Sequence, residues 1–188
     1  MAPLYLSESK KKALDLKAAV IYEDEASFRQ DSTLYCTWSR KGRQPLVPVT
    51  GQRKSVKIFG CVDIHAARFH YHRDEIFNAA SYLLFLDQIA RKYYRRNVFF
   101  IQDNASYHHH TDVMAWFHEN RKWWKNYYLP PYSPELNATE RLWHHVRITG
   151  THNRYFVTEE ELVGTLKLVF RSMQRRPDQI QGYLRPFI

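Results

Sequence analysis

Val98-Phe99-Phe100-Ile101-Gln102-Asp103 is an apolar run that ends on an acid. Stretches of helical period flank it. Upstream, within 78–95, Tyr82, Leu83, Leu86, Ile89, Ala90 and Tyr93 recur at helical spacing, and downstream 111–120 reads as a second helix. A short strand without polar alternation, set between two helices, is written for a parallel sheet covered on both faces. Toward the N-terminus, Lys17–Glu25 (KAAVIYEDE) reads as another buried strand closing on acids. Leu34–Ser39 is short and aromatic, and Arg40–Pro45 is a turn signal. Ser55–Ile64 is β-branched and apolar, and Arg68–Arg73 pairs with it as a hairpin.

Toward the C-terminus, Lys125–Leu129 reads as the last strand and Pro130–Pro134 as a loop. Ser133 is positioned to cap a helix that begins at Pro134 and runs to about Arg147. A final helix starts after Val157, with Thr158 as cap and Glu161 completing a capping box. The order predicts an α/β fold: a mixed sheet flanked by helices, in which an antiparallel meander joins βαβ units. Residues 1–17 form a lead-in, with Ser7–Lys12 frayed or helical, and 18–188 form one domain.

The 188 residues carry 28 Lys and Arg against 19 Asp and Glu, a net charge of +9. That surplus points to a polyanionic partner, nucleic acid foremost. No apolar run is long enough to span a membrane, and the N-terminus does not read as a secretory signal. The two cysteines, Cys36 and Cys61, make no disulfide framework and read as small buried hydrophobes, which fits a reducing cytoplasm.

In open α/β sheets, ligands bind beyond the carboxyl ends of strands. Asp24 and Asp103 close two of the strands there, and Glu140 lies on the helix after the proline-rich loop. Carboxylate oxygens suit Mg²⁺ or Mn²⁺, and two such ions about 4 Å apart can drive an in-line displacement at phosphorus. Glu25 competes with Asp24 for the first position, but strand alternation sends the two to opposite faces.

Three segments stand out together: Tyr22-Glu23-Asp24-Glu25-Ala26-Ser27-Phe28, Gln102-Asp103-Asn104-Ala105-Ser106-Tyr107-His108, and the run from Leu129 to Trp143 containing Pro131-Tyr132-Ser133-Pro134-Glu135-Leu136-Asn137. They resemble the catalytic domain of mariner-like transposases, in particular bacterial insertion-sequence members of the DDE type. Ser55–Asp63 is similar to that family's second core strand, and the resemblance spans roughly residues 18–175. It implies an RNase H-like fold with a five-stranded sheet and a DNA strand transferase using two Mg²⁺ or Mn²⁺ ions. It places the catalytic, metal-holding acids at Asp24, Asp103 and Glu140, and prefers Asp24 over Glu25. The 36 residues between Asp103 and Glu140 match the family's usual spacing in the mid-thirties. Ala138 departs from it, since the family usually has proline there. The resemblance further implies transposon-end and target DNA as partners, dimers or higher assemblies on that DNA, and a bacterial, nucleoid-associated place in the cytoplasm. Members of the family carry N-terminal helix-turn-helix modules. The sequence holds none, so it reads as the catalytic domain alone, with weak, salt-sensitive DNA binding.

Asn104, His108 and His144 are candidates for site support: Asn104 to orient a metal-bound water or a phosphate oxygen, His108 to approach the DNA or the site edge, His144 to reach a phosphate. Trp143 reads as a core anchor for the helix that carries Glu140. His109 and His110 read as surface residues at a helix start. Three adjacent histidines cannot all face one zinc ion. Arg40, Lys41, Arg43, Arg53, Lys54 and Arg147 are candidate phosphate contacts, and Lys10–Lys12, Arg91–Arg96, Arg121–Lys125 and Arg171–Arg176 are further basic groups. Two other readings remain at this point. One is an inactive or co-opted DNA-binding remnant. The other is a different RNase H-like nuclease, with Asp63 as its fourth acid.

Overall fold

The computed structural model describes residues 16–49, 51 and 54–188. Ser7–Lys12 and Arg53, singled out above, lie outside the described residues. Every residue from Ala18 to Asp24 is buried. Such a strand can only be central and covered on both faces. It is β1 (Ala19–Arg29), followed by β2 (Ser55–Asp63), β3 (Arg68–Asp74), β4 (Val98–Gln102) and β5 (Trp124–Tyr128). The sheet order is β3-β2-β1-β4-β5. β3, β2 and β1 pair antiparallel, and β1, β4 and β5 pair parallel. The expected mixed five-stranded sheet is what forms.

Helices cover both faces: α1 (Ala79–Lys92), α2 (Thr111–Asn120), α3 (Ala138–Val146), α4 (Glu159–Arg175) and α5 (Pro177–Leu184). Ala19, Ile21, Phe59 and Phe100 face α1 and α2, where Phe85, Leu86, Ile89 and Phe117 meet them. Val20, Tyr22, Phe28, Phe69 and Ile101 face the other way, onto Leu142 and Trp143 of α3 and Leu166 and Phe170 of α4. The two-residue alternation along β1 therefore feeds two separate cores.

Four expectations change. The predicted helix over 134–147 is two pieces: a 3₁₀ turn over Pro134–Leu136, then α3. Ser133 makes no side-chain cap; Asn137 caps α3 instead, accepting from the Thr139 N–H at 3.1 Å. A 3₁₀ turn uses up the three residues after Ser133, so the true helix start moves to the next residue able to accept a bond. The Thr158 cap forms, but the Glu161 carboxylate takes the Val157 N–H at 2.9 Å, one residue before the cap. Cys61 is buried as expected, whereas Cys36 is exposed on the long β1–β2 connection, where Trp38 and Leu46 also face solvent.

Gly60 is the partner of Asp24 across the β1–β2 pair. A Cβ there would lie 2.5 Å from the Trp143 Cζ2. That indole is fully buried and edge-packed against Phe28, Phe69 and Phe170, so it cannot retreat. Gly60→Ala is therefore expected to cost about 1–3 kcal/mol by overpacking, read as a lower urea midpoint at unchanged slope. A midpoint equal to wild type would mean that the indole has room after all.

Candidate active site

Asp24, Asp103, Asn104, Leu129, Asn137 and Glu140 line one open cavity of about 560 Å³, with the 130–134 loop as its wall. It sits just beyond the end of β4, beside the point where the parallel β1–β4 pairing stops at Tyr22. β1 itself does not close at the acids as expected: it runs on to Arg29, held by its antiparallel pairing with β2, so Asp24 lies within the strand. The three predicted acids are thus brought together from three distant elements.

Each aspartate has one oxygen held and one left over. Trp143 donates its indole Nε1–H to Asp24 Oδ2 at 3.0 Å. Asp103 Oδ1 accepts from the Ala105 N–H at 2.9 Å and lies 3.2 Å from His108 Nδ1. Glu140 is aimed through the backbone of β1. Asn137 Nδ2 donates to the Glu23 carbonyl at 2.9 Å, and Thr139 Oγ1 donates to the Tyr22 carbonyl at 2.9 Å. The first turn of α3 is therefore laced to the two residues before Asp24. Asn137 and Thr139 supply the bonds that aim Glu140.

His108 reaches the edge of the site from inside: it is fully buried, against Asp103. Its Nδ1 is 3.2 Å from the Asp103 carbonyl as well as from Oδ1, and its Nε2 is 3.2 Å from Glu25 Oε1 and 3.9 Å from Glu23 Oε2. The Nε2–Oε1 contact is an ion pair too bent to be a hydrogen bond. Strand alternation sends Glu23 and Glu25 to the α1 side, as expected for Glu25, and His108 bridges them to Asp103. Burial by itself lowers the His108 pKa, but its contacts with Asp103 and Glu25 outweigh that and lift it to about 9. The imidazole is therefore a cation at neutral pH.

The carboxylates divide accordingly. Burial pushes Asp24 well above the usual carboxylate range, and Glu140, Glu25 and Asp103 push it the same way. Glu23 rises for the same reasons, burial first and then Glu25, Asp24 and Asp103. Glu25 rises through burial, partly offset by His108. Asp103 falls, because His108 bonds its carboxylate. A group of acids held together against mutual repulsion is a site prepared for cations.

The donor set fits hard divalent cations. Oxygens of Asp24, Glu25 and Asp103 lie within 4.8 Å of one another. Both oxygens of Glu23 and Oε1 of Glu25 are buried without a hydrogen-bond partner. Glu140 stands outside that tight group but faces the same cavity. Oxygen-only ligands suit Mg²⁺ or Mn²⁺.

The remaining candidates scatter. Asn104 lines the cavity, with its amide donating to the Leu129 carbonyl at 2.6 Å, which ties the ends of β4 and β5 together. His144 does not line it: the ring is exposed and sits edge-on to Tyr35, because position 144 lies on the outer face of α3. Arg147 lies over the Phe28 ring at 5.6 Å. Arg40, Lys41 and Arg43 are exposed on a turn of the β1–β2 connection, and Lys54 is exposed just before β2. None of these four lines the cavity. His109 and His110 are exposed, as expected. Asp63 is no fourth acid. It is buried at the β2–β3 turn, bonded by the His65 and Ala66 N–H groups and the Tyr93 hydroxyl. Sequence reasoning missed Trp143 as a donor to Asp24, and Glu23 altogether. Their parity on β1 and α3 was visible, but the contact across 119 residues was not.

A family model described as DDE superfamily endonuclease matches residues 19–163. The 39 kDa protein of insertion element IS630 from Shigella sonnei is 29% identical over 146 residues, which cover 76% of this chain and 42% of that protein. The chain thus spans less than half the length of that curated relative. Among solved structures, the mariner Mos1 paired end complex with Mg superposes with a TM-score of 0.65 at 19% identity, covering 97% of this chain and 57% of that one. The Mos1 strand transfer complex gives 0.63 at 19% identity, over 97% and 58%. The Mos1 catalytic domain gives 0.55 at 18% identity, over 97% and 88%. The likeness supports the RNase H-like fold.

Proposed function

Because the chain belongs to the DDE superfamily of endonucleases, we propose that it is the catalytic domain of an insertion-sequence transposase, and that Asp24, Asp103 and Glu140 are its metal-holding acids. The observation that carries this reading is the convergence of the three carboxylates on one open cavity, with one oxygen of each aspartate pinned by a donor. Pinning one oxygen leaves the other presented at a fixed place, which is how a metal site is kept geometrically exact while empty. Divalent ions bound there would lower the pKa of an attacking water and neutralise the leaving 3′ oxygen at the end of a transposon.

The chain's own groups do the rest. Trp143, given room by Gly60, orients Asp24. His108 and Ala105 orient Asp103. Asn137 and Thr139 set Glu140 against β1. The protein then supplies position and charge rather than covalent chemistry. The freed 3′-OH attacks target DNA in the same cavity. Transposon-end and target DNA are accordingly the partners, engaged by dimers or larger assemblies, and the setting is the bacterial cytoplasm. No described helix is long and apolar enough to cross a membrane. That the IS630 protein comes from an insertion element favours transposition over general nuclease work.

Calorimetric titration of Mn²⁺ into the wild-type chain, Asp103→Asn and Glu140→Gln tests the assignment. Binding by the wild type, weakened on the order of 10-fold or more in each folded variant, is the expected result. Equal binding in all three proteins, or none in any, would put the inactive or co-opted reading ahead.

A further inference from the structure

The basic run Arg171–Arg176 takes no part in the carboxylate cavity. It lies at the C-terminal end of α4 and the junction with α5, where Leu168, Arg171, Ser172, Arg175 and Arg176 line a second, open cavity of about 380 Å³. The two cavities share no lining residue. Arg171 and Arg175 are one helical turn apart, so their guanidinium groups leave the same side of α4. Arg176 is anchored: its Nη2 donates to Ser172 Oγ at 2.9 Å. With the Gln179 amide turned to satisfy its neighbours, that oxygen also accepts from Arg176 Nη2 at 3.1 Å.

Among the described residues, no carboxylate lies within 4.0 Å of any of these three arginines. Asp178, the nearest acid in sequence, makes no ion pair with them. Three exposed arginines thus line one hollow together with Ser172, with no counter-charge. A solvated, scattered set of surface cations does not need a hollow. A tetrahedral oxyanion does, because a planar guanidinium grips two of its oxygens at once and a pinned neighbour fixes the approach.

We propose that this cleft is a phosphate-binding site for the backbone of duplex DNA, separate from the cavity of Asp24, Asp103 and Glu140. The choice of DNA as the source of the phosphate rests on the reading of the chain as a transposase domain. The site holds DNA without cutting it and reads no sequence, since backbone contacts carry none.

The test is fluorescence anisotropy on the full chain in EDTA, with a labelled duplex of about 30 base pairs over a salt series. The variants are Arg171→Gln/Arg175→Gln and, with the same loss of charge on α1 and just beyond it, Arg91→Gln/Arg95→Gln. The cleft variant is expected to bind about 10-fold more weakly near 0.1 M salt, with a salt slope smaller by about 2, one unit per lost phosphate contact. The α1 variant is expected to lose less affinity. Equal losses in both variants would make binding a matter of net charge and overturn the proposal. So would an unchanged cleft variant, a wild type that binds no duplex, or tighter binding of single-stranded RNA that depends on the same arginines. Competition by millimolar inorganic phosphate at constant ionic strength, seen in the wild type and absent in the cleft variant, would replace the DNA backbone by a free phosphate ion. The Mn²⁺ titration above needs no DNA, so failure of the cleft and failure of the metal site are separable.

Discussion

Asp24→Asn is expected to abolish metal-dependent strand cleavage and, in the same protein without metal, to raise the melting temperature. The two effects share one cause. Asp24 is buried beside Glu140, Glu25 and Asp103, and its carboxyl is held well above the usual range. A raised carboxyl favours the fold while protonated, and that contribution is lost as pH rises through its folded value. Once charged, Asp24 therefore destabilises the metal-free protein. The amide keeps the shape and can still accept the Trp143 N–H, but it carries no charge. A gain on the order of 1 kcal/mol, about 2–4 °C, is expected from scanning calorimetry in EDTA. It should grow from mildly acidic to neutral pH.

Asp103→Asn provides the contrast. His108 lowers the Asp103 carboxyl, so its charge stabilises the fold above the usual carboxylate range. That variant should lose both cleavage and stability. The same sign of stability change in both variants would show that the division of the acids drawn above is wrong. Active-site residues that cost the fold stability are the usual trade of stability for function.

His108→Ala is expected to be the most damaging single change to the fold. Among the described residues it removes the one buried cation that faces Glu23, Glu25 and Asp103. Deleting one partner of a buried ion pair leaves an uncompensated charge and typically costs about 3–5 kcal/mol. For a chain of this size that is a fall of roughly 10 °C in melting temperature. Adding Glu25→Gln removes one of the stranded charges, so the double variant should recover part of the loss. Urea denaturation of the four proteins of the cycle measures the coupling. A single-variant loss below about 1 kcal/mol would mean that the bridge does not hold the site together.

The fold was largely legible because its signals are local. The apolar run of β4 between two helical periods, and the buried run of β1, are patterns within ten residues, and both strands form, β1 running four residues past its expected end. The three acids were legible through the segments around them. What escaped was long-range or a matter of geometry within a turn. Position 108 reads as a residue near the DNA or the site edge, and nothing local says that Glu25, far away in sequence on β1, will meet it in the interior. The sequence points to Ser133 as the cap, and the 3₁₀ turn over Pro134–Leu136 hands that role to Asn137. Cys36 has the composition of a buried residue, but the β1–β2 connection lifts it away from both cores.

The bonds that assemble the site are also among those that close the longest loops in the chain. Trp143 reaches Asp24 across 119 residues, Thr139 reaches Tyr22 across 117, and Asn137 reaches Glu23 across 114. The β2–β3 hairpin and helix α1 need only neighbours and can form early, whereas contacts of such separation close late because the loop entropy must be met first. On a ribosome releasing about 5–20 residues each second, β1 waits several seconds for the segment that carries Glu140 and Trp143. Until then Asp24 and Asp103 are carboxylates without a third partner, and a partly made chain has no complete acidic cavity.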